Sequence, residues 1–195
     1  MKKTSHNIIC LEAEWLYNNN LYRFPLDTSP LLHWLKEFYK CDVIYRHILT
    51  KEDLVHYLNY FNTNKRAFKQ YDIIYIACHG GNHTLYLEGL DGDIDLTELA
   101  EIADDFFKDK IIHFGSCKTL ANTNVVSDFK NITGARLVSG YKKRVDAMKS
   151  AIADIAYFND LMYLQKNVGI ITNENASKFR KTYKTLLDEL GFVAI

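Results

Sequence analysis

Two apolar stretches of the sequence each end in a reactive type of side chain close to a glycine. The first is YIACHGG, residues 75–81, and the second is IIHFGSCKTL, residues 111–120. Each begins as a continuous apolar run, which is typical of strands buried on both faces of a parallel sheet. The first run stops at His79 and the second at Cys117. The two stretches therefore predict two buried strands with a functional residue just beyond each.

The rest of the chain alternates between strand-like and helix-like patterns. Apolar or alternating runs predict strands at 7–13, 42–49, 72–78, 110–116 and 135–141, with a short edge strand at 83–89. Helical spacing predicts helices at 29–40, 50–61, 96–107, 125–130, 146–165 and 173–190. This alternation indicates an α/β fold with a mostly parallel central sheet flanked by helices. The 195 residues suit one domain, which we expect to span residues 1–195.

Local signals predict where several helices begin and end. Ser29 is expected to cap the first helix, and Thr50 with Asp53 forms a capping-box pattern for the second. Asp95 is expected to cap the helix that follows it. Gly191 is expected to end the last helix.

Charge and hydropathy exclude several classes of function. The sequence has 24 basic and 24 acidic side chains, so its formal net charge is zero. Nucleic-acid binding usually needs a basic excess, and we expect no nucleic-acid partner. No run of about 18 apolar residues is present, so we expect no membrane association. The absence of a signal-peptide pattern indicates a cytoplasmic protein.

The four cysteines are far apart and form no CxxC pair. Cys10, Cys41 and Cys78 lie in or beside apolar runs, where reduced and buried cysteine is common. Cys117 differs, because it follows its strand instead of lying within it. The pattern predicts three core thiols and one thiol at the edge of the sheet.

In parallel sheets, ligands bind at the carboxyl ends of the strands. If the strands before His79 and Cys117 are neighbours, both side chains emerge at the same edge. A thiolate is the reactive form of cysteine, and histidine is the commonest group to carry its proton. The backbone N–H groups of Gly80 and Cys117 are candidates for stabilising an oxyanion. The sequence thus predicts a His79–Cys117 dyad as the catalytic pair.

The order of these elements resembles the caspase-haemoglobinase fold of clan CD cysteine peptidases. It is most similar to the CHAT branch, over about residues 73–158. In that family one strand ends in His-Gly and a later one in a small residue followed by Cys, as in IIYIACHGG and IIHFGSC here. ARLVSGY and the helical segment VDAMKSAIADIAYF follow in matching order. His79 and Cys117 are 117 − 79 = 38 positions apart, and Gly-Ser-Cys replaces the Gln-Ala-Cys of true caspases.

The resemblance implies a cysteine endopeptidase that needs no cofactor. It also implies a bacterial effector in defence or regulation, with a protein or peptide substrate and control by a partner protein or self-assembly. In this fold, residues after the strands bind the substrate side chain before the scissile bond. Glu12, Glu14 and Asp146 are the candidates here, and their charge predicts a basic side chain at that position.

Three alternatives remain open at this point. The chain could be a catalytically silent interaction module that keeps the fold, or it could carry a different hydrolytic or transferase chemistry at the same edge. A zinc site is the third alternative, for which the candidate ligands are Cys78, His79, His83, His113 and Cys117. Their spacing matches no structural zinc motif, and we expect no metal.

Overall fold

The structure, a computed structural model, describes residues 4–13, 27–88 and 92–195. Its centre is a six-stranded mixed sheet in the order β2-β1-β3-β7-β8-β9. The first five of these strands are parallel, and β9 is antiparallel to β8. Their bounds are β1 Ile8–Glu12, β2 Val43–His47, β3 Ile73–Ala77, β7 Ile111–Phe114, β8 Leu137–Tyr141 and β9 Phe192–Ala194. The expected α/β fold with a mostly parallel sheet is confirmed.

Helices cover both faces of this sheet. On one face they pack with a cluster that includes Leu58, Leu99 and Phe129, and on the other with a cluster that includes Leu35 and Tyr157. Because both faces are covered, every residue of β1, β3, β7 and β8 is buried. The helices are α1 Ser29–Tyr39, α2 Lys51–Thr63, α3 Lys65–Phe68, α4 Leu96–Ala103, α5 Thr123–Thr133, α6 Ala147–Leu164, α7 Lys178–Thr182 and α8 Lys184–Leu190, with 3-10 turns at Asp104–Phe107 and Gln165–Thr172.

A second, antiparallel sheet is formed by three short strands that lie between β3 and α4 in the sequence. Its order is β4-β5-β6, with bounds His79–Gly81, Thr84–Tyr86 and Asp93–Asp95. The sequence predicts a short edge strand at 83–89, and the structure has β5 there, with β4 and β6 on either side of it. The first of these strands follows β3 after the single residue Cys78, so His79 begins a turn away from the main sheet.

The register of the main sheet determines which side chains meet at its carboxyl edge. Ile76 of β3 pairs with Phe114 of β7. His79 lies 79 − 76 = 3 positions after Ile76, and Cys117 lies 117 − 114 = 3 positions after Phe114. The two residues therefore leave neighbouring strands at equal distances along the chain.

Several of the predicted helix ends are confirmed. Thr50 and Asp53 form the expected capping box, Asp95 accepts the N–H of Glu98, and Gly191 ends α8 in the left-handed conformation. The predicted cap of α1 is wrong by one residue, because Thr28 precedes the helix and Ser29 donates to Asp27 instead.

The predicted last helix, 173–190, is also wrong in part. It is divided into α7 and α8 at Tyr183, where the backbone leaves helical geometry. The strand β9 that follows was not expected from the sequence. Among the described residues, no helix combines the length and the apolar character needed to cross a membrane.

Candidate active site at the carboxyl edge of the sheet

Cys117 lies half-buried in the loop that follows β7. The backbone N–H of Val145 donates to Cys117 Sγ over 3.4 Å, and the thiol contacts the Val145 carbonyl oxygen at 3.8 Å. The contact from the N–H can persist after the thiol loses its proton, because a sulfur anion is a better acceptor than a thiol. The helix α5 begins at Thr123, which is 123 − 117 = 6 positions after Cys117. Val145 supplies the donor that the sequence did not reveal.

The loop around Cys117 is fixed to the strand end that carries Val145. Lys118 adopts a left-handed backbone, φ 55°. Its N–H donates to the carbonyl of Lys143 over 3.0 Å, and the N–H of Leu120 donates to that of Tyr141 over 3.1 Å. Two backbone bonds therefore tie the loop after β7 to the segment after β8.

The strand β4 packs against the same loop through Gly80. A Cβ atom at Gly80 would lie 2.6 Å from Thr119 Oγ1 and 2.9 Å from the carbonyl oxygen of Cys117. Only glycine permits this approach. The backbone of Gly80 therefore lies close against the loop that carries Cys117. His79 is the residue before Gly80 and is half-buried at the start of β4.

Glu12 does not lie where a substrate-binding carboxylate is expected. Its side chain is 0% exposed, and it accepts hydrogen bonds from the N–H and hydroxyl of Thr28 and from the hydroxyl of Tyr45. Burial and the neighbouring carboxylate raise the pKa of Tyr45 well above its usual value. Contrary to the expectation, Glu12 holds the start of α1 against β1 and β2. Glu14 lies outside the described residues.

An acidic cavity of about 290 Å³ opens beside Val145. Three carboxylates line it, those of Asp27, Asp146 and Asp154, together with Met148 and Tyr75. Asp146 is exposed and caps α6 by accepting the N–H of Lys149. Of the three predicted pocket residues, Asp146 alone is found in this cavity among the described ones. Asp27 and Asp154 were not identified from the sequence. Asp27 lies 27 − 12 = 15 positions after Glu12, far from the end of β1, and Asp154 lies within the helix α6.

Asp154 is held in a buried polar network at the base of this cavity. It accepts a hydrogen bond from Tyr75 over 2.7 Å and another from Tyr141, and it contacts His113 Nε2 at 2.8 Å. His113 Nδ1 in turn contacts Ser139 Oγ at 2.9 Å. A buried carboxylate is tolerated when donors surround it in this way.

Two of the proposed zinc ligands take other roles in the structure. His113 belongs to the buried network, and Cys78 is fully buried in the core. Within residues 4–13, 27–88 and 92–195, no three His, Cys, Asp or Glu side chains are grouped so that they could hold a metal ion. The described residues therefore give the zinc alternative no support.

The other cysteines are core thiols, as predicted. Cys10, Cys41 and Cys78 are buried. Burial raises the pKa of Cys41 to about 11 and holds the pKa values of Cys10 and Cys78 well above the usual range for a thiol. Cys117 is the one cysteine of the four that is partly exposed.

The described residues form an α/β structure with a partly exposed thiol at the carboxyl edge of a mostly parallel sheet. The chain belongs to DUF6642, a family of unknown function whose family model matches residues 5–193. No curated protein matches the sequence.

Proposed function

We propose that this protein is a cysteine endopeptidase with a caspase-haemoglobinase-like fold, and that Cys117 is its nucleophile. The observation that carries this proposal is the position of Cys117 at the sheet edge, with its sulfur bound by the N–H of Val145 and an acidic cavity beginning at the next residue, Asp146. A nucleophile and a specificity pocket side by side are what selective peptide cleavage needs.

The reaction would proceed through a thioester. Cys117 Sγ forms a bond to the carbonyl carbon of the substrate, and the carbon–nitrogen bond then breaks. His79 takes the thiol proton and delivers it to the leaving amine. Water next attacks the thioester, with His79 accepting its proton, and Cys117 is released as the thiol. The N–H groups of Gly80 and Cys117 are the proposed donors to the oxyanion.

The acidic cavity supports a basic side chain before the scissile bond. Asp27 and Asp146 line it with carboxyl groups that reach solvent, and the buried Asp154 adds a third. Its volume of about 290 Å³ lies near the lower end of the range for ligand pockets, about 300–1,000 Å³. A long side chain with one positive end, arginine or lysine, matches this shape and charge.

A panel of fluorogenic peptides that differ only in the residue before the cleavage site tests the proposal. We expect cleavage after arginine or lysine, loss of cleavage in Cys117→Ala and His79→Ala, and at least a tenfold lower kcat/KM for basic peptides in Asp146→Asn. Asp128→Asn, an exposed acid on α5, is the matched control and should behave as wild type. Cleavage that survives Cys117→Ala would overturn the proposed chemistry.

The same panel separates specificity from catalysis. Cleavage that depends on Cys117 but shows no preference for basic peptides would reject the pocket assignment alone. If no peptide is cleaved and Cys117 reacts with alkylating reagents no faster than the buried cysteines, the chain is better described as an interaction module with this fold. The proposed setting, a bacterial effector controlled by a partner protein or by self-assembly, depends on the peptidase activity being found.

A further inference from the structure

A second cavity, of opposite charge, opens at the same edge of the sheet. It measures about 340 Å³ and lies between the segment after β8 and the helices α7 and α8. Leu187 and Phe192 provide its buried apolar wall, with Gly191 beside them. Five basic side chains line it, namely Lys142, Lys143, Arg180, Lys181 and Lys184.

The positive charge in this cavity exceeds the negative charge. Its two acidic residues are Glu174 and Asp188, so the lining carries 5 − 2 = +3 formal charges. The chain as a whole has a formal net charge of zero, so this excess is local. Glu174 is paired with Arg180, and Asp188 is paired with Lys184 at 2.7 Å. Both acids are therefore already neutralised by neighbours within the cavity.

Three lysines remain without a carboxylate partner among the residues that the structure describes. The side-chain ammonium groups of Lys142 and Lys181 make no hydrogen bond or ion pair there, whereas their backbone N–H groups donate to Gly191 and Ser177. Lys143 donates to the carbonyl oxygens of Asp188 and Glu189 at 2.8 and 3.3 Å, which orients its ammonium group without cancelling its charge. Unpaired positive charges that converge on a concave surface attract anions.

Part of the cavity wall is rigid. The Arg180 side chain is only 11% exposed, and its guanidinium group lies 5.7 Å from the centre of the Phe192 ring. Gly191 has a left-handed backbone, φ 66°, and a Cβ there would lie 2.9 Å from Lys143 Cγ. Lys143 therefore packs along Gly191, and a preformed position for its charge reduces the entropy lost on binding a ligand.

Hydrogen bonds from the segment 142–145 connect the cavity to the loop that carries the proposed nucleophile. The carbonyl of Lys143 accepts the N–H of Lys118, the neighbour of Cys117, and Val145 donates its N–H to Cys117 Sγ. An anion that holds Lys142 and Lys143 would restrict the segment 142–145, which carries the donor to the sulfur. Binding of an anion in the cavity would thereby alter the position of the Val145 N–H that donates to Cys117 Sγ.

We propose that this cavity binds a small polyanion with consecutive phosphate groups and that its occupation alters the reactivity of Cys117. The ligand class follows from three unpaired ammonium groups on two separate segments, which one ligand with several negative groups can bridge. A nucleoside triphosphate and an inorganic polyphosphate share this chemistry. The binding itself is independent of the proposed peptidase function, whereas its effect on Cys117 deepens that function and rests on it.

Isothermal titration calorimetry of the full chain with tripolyphosphate, ATP and inorganic phosphate tests the binding site. We expect one site for tripolyphosphate, binding that weakens as salt is raised, and much weaker binding of single phosphate. The double variant Lys142→Ala/Lys181→Ala should weaken binding at least tenfold. Arg66→Ala/Lys69→Ala removes two exposed charges elsewhere and should leave binding unchanged. Tighter binding of ATP than of tripolyphosphate would identify a nucleotide as the preferred ligand.

The coupling is tested by the rate at which iodoacetamide labels Cys117, with and without saturating tripolyphosphate. We expect the rate to change at least threefold in the wild type and not at all in Lys142→Ala/Lys181→Ala. Binding without any change in rate would keep the anion site and reject its link to Cys117. No binding at millimolar tripolyphosphate, or an equal loss of binding in both double variants, would overturn the site as proposed.

Discussion

The backbone N–H of Val145 donates a hydrogen bond to the sulfur of Cys117 across 3.4 Å, although the two residues are 145 − 117 = 28 positions apart. This bond joins the ends of two adjacent strands, β7 and β8. It places the thiol between the loop that carries it and the segment that opens the acidic cavity. A displacement of that segment would therefore change the hydrogen bond to the sulfur.

The first prediction concerns which cysteine reacts. Iodoacetamide at pH 7.5 should label Cys117 alone in the native protein, at least tenfold faster than any other cysteine. Cys10, Cys41 and Cys78 are buried, and their raised pKa values keep them as thiols at this pH. Peptide mapping by mass spectrometry identifies the labelled residue. Equal labelling of Cys78 would contradict the burial described for it.

A related prediction separates an active dyad from an inert thiol. If His79 assists Cys117, His79→Ala should slow labelling of Cys117 by about tenfold or more near neutral pH, since the variant lacks the base that takes the thiol proton. His56→Ala on the exposed side of α2 is the control and should have no effect. An unchanged rate in His79→Ala would argue against the pairing of these two residues.

The third prediction uses two glycines in different surroundings. Gly80→Ala would place a methyl group 2.9 Å from the carbonyl oxygen of Cys117, so we expect a loss of about 1–3 kcal/mol in the free energy of unfolding and slower labelling of Cys117. Gly169→Ala meets nothing within 4 Å and should be neutral or slightly stabilising. Urea denaturation of both variants gives the comparison. A stability for Gly80→Ala equal to that of Gly169→Ala would show that the loop can move away without cost.

The fourth prediction concerns the buried network. Asp154→Ala removes the acceptor for Tyr75 and Tyr141 and leaves His113 Nε2 without its carboxylate partner. We therefore expect the free energy of unfolding to fall by about 3–5 kcal/mol. Asp128→Ala on the surface should change stability by less than about 0.5 kcal/mol. If Asp154→Ala does not fold, Tyr75→Phe removes a single donor and should cost about 1 kcal/mol. No change in either network variant would contradict the proposed stabilisation.

The last prediction is a dependence on pH. Burial raises the pKa of Asp160 on α6. A carboxyl group whose pKa is raised by folding contributes stability below its unfolded pKa of about 3.9, and that contribution is lost as the pH rises through the folded value. Asp160→Asn should therefore raise the melting temperature at pH 7, and the gain should disappear near pH 4. A gain of the same size at both pH values would show that titration of Asp160 is not its cause.

The sequence predicts the main sheet well because its strands are continuous apolar runs, as at 73–77 and 111–114. It also predicts that His79 and Cys117 lie at the carboxyl edge, whereas the pairing of their two strands comes from the structure. It does not predict the hydrogen bond from Val145, because a backbone N–H has no residue-specific signal. Asp154 is missed for another reason, since a single acid on a helix resembles a solvated residue until the packing of that helix is known.

Glu12 illustrates the opposite error. A carboxylate at the end of a strand in this type of sheet suggests ligand binding, and the sequence contains no sign that Thr28 and Tyr45 will satisfy it. The division between α7 and α8 is similarly invisible, because the pattern from 173 to 190 keeps helical spacing through the break. Both errors arise where tertiary contacts decide the outcome.

The two cavities at the carboxyl edge give this electrically neutral chain a strong separation of charge. Asp27 and Asp146 line one cavity, while Lys142, Lys143 and Lys181 line the other. Two patches of opposite charge can orient an approaching charged ligand before contact, over roughly the 8–10 Å Debye length of physiological salt. The encounter rate of a ligand with a positive and a negative end should then fall steeply with ionic strength, as if the protein carried a large net charge.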